Sequence, residues 1–154
     1  MTVITSSKPS VVGATPEGAH DQQSASRAVR EMFTTIAPRY DLLNHVLSMN
    51  VDRYWWWRAA RSFDDILRNP NNRVLDLCCG TGDMTFALLR RARPNLPEIV
   101  GADFSHTMLQ RAFSKSRGTS LRWIEADALH LPFADAHFDL VTSAFGFRNL
   151  ADYD

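Results

Sequence analysis

Two glycines and a carboxylate carry the first chemical signal in this sequence. Cys79-Gly80-Thr81-Gly82-Asp83 follows the apolar run Val74-Leu75-Asp76-Leu77 and precedes a helical pattern that begins at Met84. Glycine at such a junction lets the backbone turn tightly and approach a ligand. A Gly-x-Gly alone is weak evidence. Asp103, however, lies 21 residues beyond Gly82, at the end of the next apolar run, where a carboxylate accepts hydrogen bonds from a ribose diol. Gly80, Gly82 and Asp103 together point to a ligand built on adenosine.

The kind of adenosine ligand is narrowed by the rest of the loop. A dinucleotide fingerprint carries a third glycine three positions after the second, and that position is Thr85. No phosphate-binding lysine follows the loop as in a Walker motif. A ligand without pyrophosphate, bearing a sulfonium and an amino-acid tail, fits better than a nicotinamide dinucleotide. Asp76, just before the loop, is placed to reach the ammonium of such a tail; the alternative is a local hydrogen bond within the loop. Farther on, Asp127-Ala128 follows a third apolar run. Asp127 can accept from the exocyclic amine of adenine while Ala128 offers its backbone N–H, although an isolated Asp there reads equally as a turn residue.

Strand and helix must alternate to bring these residues together. The patterning predicts strands over 73–79, 99–104, 121–125 and 138–145, with helices over 84–91 and 107–113. The apolar strands suit a parallel sheet covered on both faces, and the series is a βαβ architecture. Before it, Val29, Met32, Phe33, Ile36, Tyr40 and Leu43 recur at helical spacing, with Pro38 interrupting. A further helix is expected over 52–67, with Trp56, Ala60, Phe63 and Leu67 on one face. Asn69-Pro70-Asn71-Asn72 closes this region as a loop. The organisation is therefore a tail over 1–26, expected to be disordered, a helical cap over 27–70, and a partial Rossmann-like domain over 71–154.

Composition limits the partners. The chain has 154 residues, 45% hydrophobic and 22% charged, with 17 basic and 17 acidic residues. That balance leaves no overall electrostatic footprint for nucleic acid. Cys78 and Cys79 are adjacent, which matches neither a routine disulfide nor the spacing of a zinc site. They read as small buried apolar residues of a reducing compartment, and no metal is expected. No stretch approaches the roughly 20 apolar residues of a membrane span, so the expected place is the cytoplasm, with any lipid contact peripheral.

The sequence resembles class I S-adenosylmethionine-dependent methyltransferases, and more narrowly the ubiquinone/menaquinone biosynthesis C-methyltransferase family. Three segments carry the resemblance: Tyr40-Asp41-Leu42-Leu43-Asn44 continuing to Leu47-Ser48 and Trp55, the loop Asp76 to Asp83, and Phe145-Gly146-Phe147-Arg148-Asn149. The Phe-Gly-x-Arg-Asn segment is far more particular to the family than the glycine loop. The resemblance implies S-adenosyl-L-methionine as cofactor, with Thr81, Asp103, Asp127 and Ala128 in contact with it. It also implies methyl transfer to a ring carbon of a polyprenylated naphthohydroquinone, the loop Cys78-Cys79-Gly80-Thr81 being more like the menaquinone than the ubiquinone branch.

A ring carbon becomes nucleophilic once a phenol ionises, so the protein must position the ring and favour the phenolate. Arg148 is the first candidate to stabilise that phenolate, with an ion pair or helix cap as its alternative role. Asn149 would orient the same hydroxyl and Tyr40 would face the cofactor from the cap. The sequence departs from the family pattern at Leu43 (usually Met), Asp52 (often His) and Ala144 (Ser in some members). The His role therefore does not transfer, and one cofactor hydrogen bond is removed. Trp55, Trp56 and Trp57 stand about 100° apart around a helix and cannot all face one core. At least one should face outward, lining a mouth for an isoprenoid tail or a membrane-facing patch, unless the three pack within the cap. The resemblance further implies strands beyond Asp154, so the sheet is expected to be incomplete, with the fourth strand an apolar open edge prone to self-association.

Overall fold

A computed structural model describes Glu31, residues 51–144 and Gly146. The expected tail and the helices predicted before residue 51 lie outside the described residues. The elements, in chain order, are α1 (Val51–Arg61), α2 (Asp64–Leu67), β1 (Arg73–Leu77), α3 (Asp83–Ala92), β2 (Glu98–Asp103), α4 (His106–Lys115), β3 (Arg122–Glu125) and β4 (Leu140–Ser143). The four strands form one parallel sheet in the order β3-β2-β1-β4. The α/β, Rossmann-like reading stands.

The helix expected over 52–67 is broken. After Arg61 the N–H groups of Ser62 and Phe63 bond to Ala59 and Ala60, three residues back, and Phe63 takes φ −108°, ψ 18°. The bend lets Trp56, Ala60, Phe63 and Leu67 all reach one core. The Asn-rich loop that follows is held by its own amides. Asn69 Oδ1 accepts from Asn71 N–H at 3.0 Å, and Asn72 Nδ2 donates to the Ile66 carbonyl at 2.9 Å, the local bonding that makes Asn a turn residue.

Alternation along β1 and β2 gives the sheet two apolar faces. Val74 and Ile99 join Leu88 and Ala92 of α3 and Ala60 and Leu67 in one core. Leu75, Leu77, Val100 and Ala102 form a second core, packed by Ile124, Leu131, Phe133 and Phe138. Residues 126–139 thus cover part of that face as a loop carrying aromatic side chains. The chain passes β1 to β2 to β3 in one direction and then returns to place β4 on the other side of β1. That reversal puts a topological switch point between β1 and β4, and ligands of open α/β sheets bind outside the carboxyl ends of the strands at such a point.

Strand ends also move. β1 stops at Leu77, two residues short of the prediction, because Cys78 takes φ 55° and leaves the pleat. β4 begins at Leu140, with Asp139 just before it taking the Arg73 N–H on Oδ2 at 2.8 Å and donating its own N–H to the Arg73 carbonyl at 2.9 Å. Val141 is exposed on β4, which pairs only with β1 among the described residues.

Candidate functional site at the carboxyl edge of the sheet

Because all four strands are parallel, Leu77, Asp103, Glu125 and Ser143 end on one edge. There Asp103 Oδ2 accepts the Gly80 N–H at 2.8 Å and Oδ1 accepts the Ser105 N–H at 2.8 Å. Asp103 is therefore oriented by the β1 loop on one side and by the entry to α4 on the other. Gly80 lies at φ 56°, and a β-carbon there would meet nothing within 4 Å. The loop presents bare backbone to open space at this point. Ser105 is buried, and its hydroxyl has no hydrogen-bond partner among the described residues.

Asp76 occupies a different environment. It is fully buried in β1, and its carboxylate accepts from Thr85 Oγ1 at 2.6 Å and from Thr142 Oγ1 at 3.0 Å. These are hydrogen bonds within the fold, the alternative to a reach toward a ligand ammonium. The two hydroxyls fasten β1 to α3 and to β4 beneath the loop. Burial pushes the Asp76 carboxyl up to about 6, against the opposing pull of those two hydroxyls. Thr85, conspicuous in the sequence only for not being glycine, is one of the two donors.

Gly82 starts α3 at φ 90°. Its missing β-carbon would lie 2.6 Å from the Trp123 ring, and a β-carbon at Gly101 would lie 2.4 Å from the same ring. The indole of β3 is thus laid across two bare backbone positions, and its Nε1 donates to Ser116 Oγ at 2.9 Å. Nothing in the local sequence signalled this contact. It joins residues brought together only by the sheet.

The loop also meets the chain after β4. A β-carbon at Gly146 would fall 2.1 Å from Cys78 Cβ, closer than two carbon atoms of separate residues can approach. Cys78 itself holds a left-handed φ of 55°, a conformation that costs a non-glycine residue about 1–2 kcal/mol. Burial, reinforced by Asp103, raises the Cys78 thiol to about 11, and burial raises Cys79 well above its ordinary value. Both stay protonated thiols at neutral pH and are poor nucleophiles.

The sequence profile of the ubiE/COQ5 methyltransferase family matches residues 20–154. The chain belongs to this family. It is 53% identical over 135 residues to a demethylmenaquinone methyltransferase of Deinococcus radiodurans, covering 86% of this chain and 54% of that protein. Against the demethylmenaquinone methyltransferase of Thermus thermophilus the identity is 51% over 125 residues, 80% of this chain and 54% of the relative. The chain spans about half the length of the curated relatives it matches. Among solved structures, an S-adenosylmethionine-dependent methyltransferase from Clostridium acetobutylicum superposes with TM-score 0.52 at 26% identity, over 68% of this chain and 41% of that one. The Haemonchus contortus phosphoethanolamine N-methyltransferase 1 shares the fold, with TM-score 0.62 at 18% identity over 84% of this chain and 27% of its own.

In this ubiE/COQ5 member the expected ligand residues divide into three groups. Gly80, Gly82 and Asp103 meet at the carboxyl edge, with Thr81 buried between the glycines. Asp127 and Ala128 follow β3 on the same edge. Asp127 Oδ1 accepts the Leu129 N–H at 3.0 Å, its carbonyl accepts the His130 N–H at 2.9 Å, and its side chain is exposed. Ala128 packs toward the second core. Tyr40, Arg148 and Asn149 lie outside the described residues, Gly146 being the described position nearest to Arg148.

Proposed function

We propose that this chain binds S-adenosyl-L-methionine at the carboxyl edge of β1, β2 and β3, as part of an enzyme that methylates a ring carbon of a polyprenylated naphthohydroquinone, demethylmenaquinol to menaquinol. The observation that carries the reading is the clamped carboxylate of Asp103 beside the open face of Gly80. A backbone turn bare of side chain at Gly80, an oriented acceptor and the buried Ser105 hydroxyl suit the ribose of an adenosine group. The names of the relatives support the substrate class.

Bound there, the cofactor supplies an electrophilic methyl group on a sulfonium. Asp103 accepts hydrogen bonds from the ribose hydroxyls. Gly80 and Thr81 bring backbone against the ligand, and Gly82 lets α3 begin directly behind it. Asp127 accepts the adenine amine, with the Ala128 N–H beside it. Asp76 acts through the loop as a positioning residue, fixing β1 to Thr85 and Thr142. Arg148 stabilises the ionised quinol oxygen, Asn149 orients it and Tyr40 faces the methyl donor. Residues 27–70 serve as a cap over the Rossmann-like unit of 71–154. The substrate's isoprenoid tail keeps it in a bilayer, so the protein works at the cytoplasmic membrane surface.

The test is product analysis after incubating the chain with methyl-labelled S-adenosylmethionine and reduced naphthoquinone or benzoquinone acceptors. Label on the ring carbon of the naphthoquinol supports the assignment. Label on the benzoquinol alone would move the protein to the ubiquinone branch, and label on neither would remove methyl transfer from this chain.

A further inference from the structure

The outward face of α1 combines cations and aromatic rings. At about 100° per residue, Arg53, Tyr54, Trp57, Arg58 and Arg61 fall within an arc of about 140°, opposite Trp56, Ala59 and Ala60, which pack on the core. Tyr54 is 54% exposed, Trp57 47%, and Trp55 on the flank of the arc 59%. These rings pack on one another: Tyr54 lies 6.4 Å from Trp55 and 6.0 Å from Trp57, centroid to centroid. The Arg61 guanidinium stands 5.6 Å over the Trp57 ring. Of the three consecutive tryptophans Trp56 packs inward, and the described residues leave Trp55 and Trp57 exposed.

We propose that this face is a docking surface for an anionic lipid bilayer. The inference deepens the membrane-surface part of the reading above and assigns it to named residues. Indole and phenol rings have an apolar body and a polar edge, which suits the headgroup boundary, and arginine stems lie along apolar surface while their guanidinium groups meet phosphates. Charge complementarity selects the partner. Arg58, Arg61 and, across the neighbouring groove, Arg90 give this face a local positive charge in a chain whose formal charge is zero. Among the described residues no helix is long and apolar enough to cross a membrane, so the helix would lie in the interface plane. The groove of about 800 Å³ beside it is lined in part by Tyr54, Trp57, Arg90 and Asp83, the first residue of α3 after the glycine loop. A bilayer against α1 would border a groove that includes this first residue after the loop proposed to hold the methyl donor.

The experiment is vesicle partitioning of the full chain without quinol or cofactor, so that its outcome is independent of methyl transfer. Vesicles containing phosphatidylglycerol should retain the protein, pure phosphatidylcholine should retain much less, and rising salt should release it. Acyl-brominated lipids should quench the tryptophan emission. R58Q/R61Q should weaken partitioning by about 25-fold, at roughly fivefold per arginine, and W55S/W57S should abolish the quenching, each with an unchanged melting temperature. No retention of the wild-type chain, or equal retention of the arginine variant, overturns the proposal. Two further results would also do so: a mass doubling lost in W55S/W57S, which would mark a contact between copies, and retention of a single-stranded oligonucleotide in place of vesicles. The brominated-lipid measurement on the wild-type chain decides the matter even if a variant fails to fold.

Discussion

The Gly80 N–H and the Asp103 carboxylate, 23 residues apart, are joined by a 2.8 Å hydrogen bond across the carboxyl ends of β1 and β2. The acceptor proposed for a ribose is thus also the tether of the glycine loop. Asp103 has a structural duty apart from any ligand, because it satisfies two backbone N–H groups at the site, those of Gly80 and Ser105. Asp103→Ala should lower stability by about 1–3 kcal/mol in the absence of ligand, read as a shifted urea midpoint. An unchanged midpoint would show that these bonds contribute nothing.

Asp76 should give the fold a pH dependence of its own. Its carboxyl is raised in the folded state from the usual 3.8 to about 6 by burial, so the folded protein holds this proton more tightly than the unfolded chain does. The favourable contribution is fully present below about pH 4 and is lost as pH rises through about 6. The difference is on the order of 3 kcal/mol. Asp76→Asn should remove that slope: compared with wild type, it should gain relative stability between about pH 4 and pH 7. Urea denaturation at several pH values measures it, and parallel curves for the two proteins would refute the assignment.

The contact of Gly146 with Cys78 predicts a non-additive pair. Gly146→Ala would force its β-carbon against Cys78 Cβ, an overpacking cost of about 1–3 kcal/mol. Cys78→Gly relieves the left-handed strain at φ 55° and empties the contested space. The double variant C78G/G146A should therefore recover most of the loss, a coupling visible in a thermal-melting double-mutant cycle. Additive losses would mean that the two backbones do not meet as described.

What the sequence made legible and what it hid have a common physical reason. Local signals place the strands, the glycine loop and the carboxylate at the end of β2, because periodicity and spacing along one chain suffice for them. Thr85 and Thr142 on Asp76, and Trp123 across Gly82 and Gly101, are contacts between separate strands and helices, so no window of sequence contains them. The ends of elements slipped where a single residue overrode the pattern: Cys78 left β1 by adopting a positive φ, and Phe63 broke the long helix to reach the core. The inward bonds of Asp76 were hidden for the same reason, since an acid before a glycine loop has the same sequence whichever way its side chain turns.

Arg148→Ala should reduce methyl transfer to the quinol by about a hundred- to a thousandfold if its guanidinium stabilises the phenolate, while S-adenosylhomocysteine affinity stays nearly constant. Single-turnover rates alongside equilibrium binding separate the two. An equal fall in both would make Arg148 a structural residue.

Asp103, as the acceptor for an adenosine ribose, is the residue on which the proposed cofactor site most directly depends. Titration calorimetry of S-adenosylhomocysteine into the wild-type chain and into Asp103→Asn, with circular dichroism confirming that both are folded, tests it. Wild type should bind, and the variant should bind about ten- to a hundredfold more weakly, the loss expected for a hydrogen bond to a charged acceptor. Equal affinity in the two proteins, or no binding by a folded wild-type chain, would contradict the site.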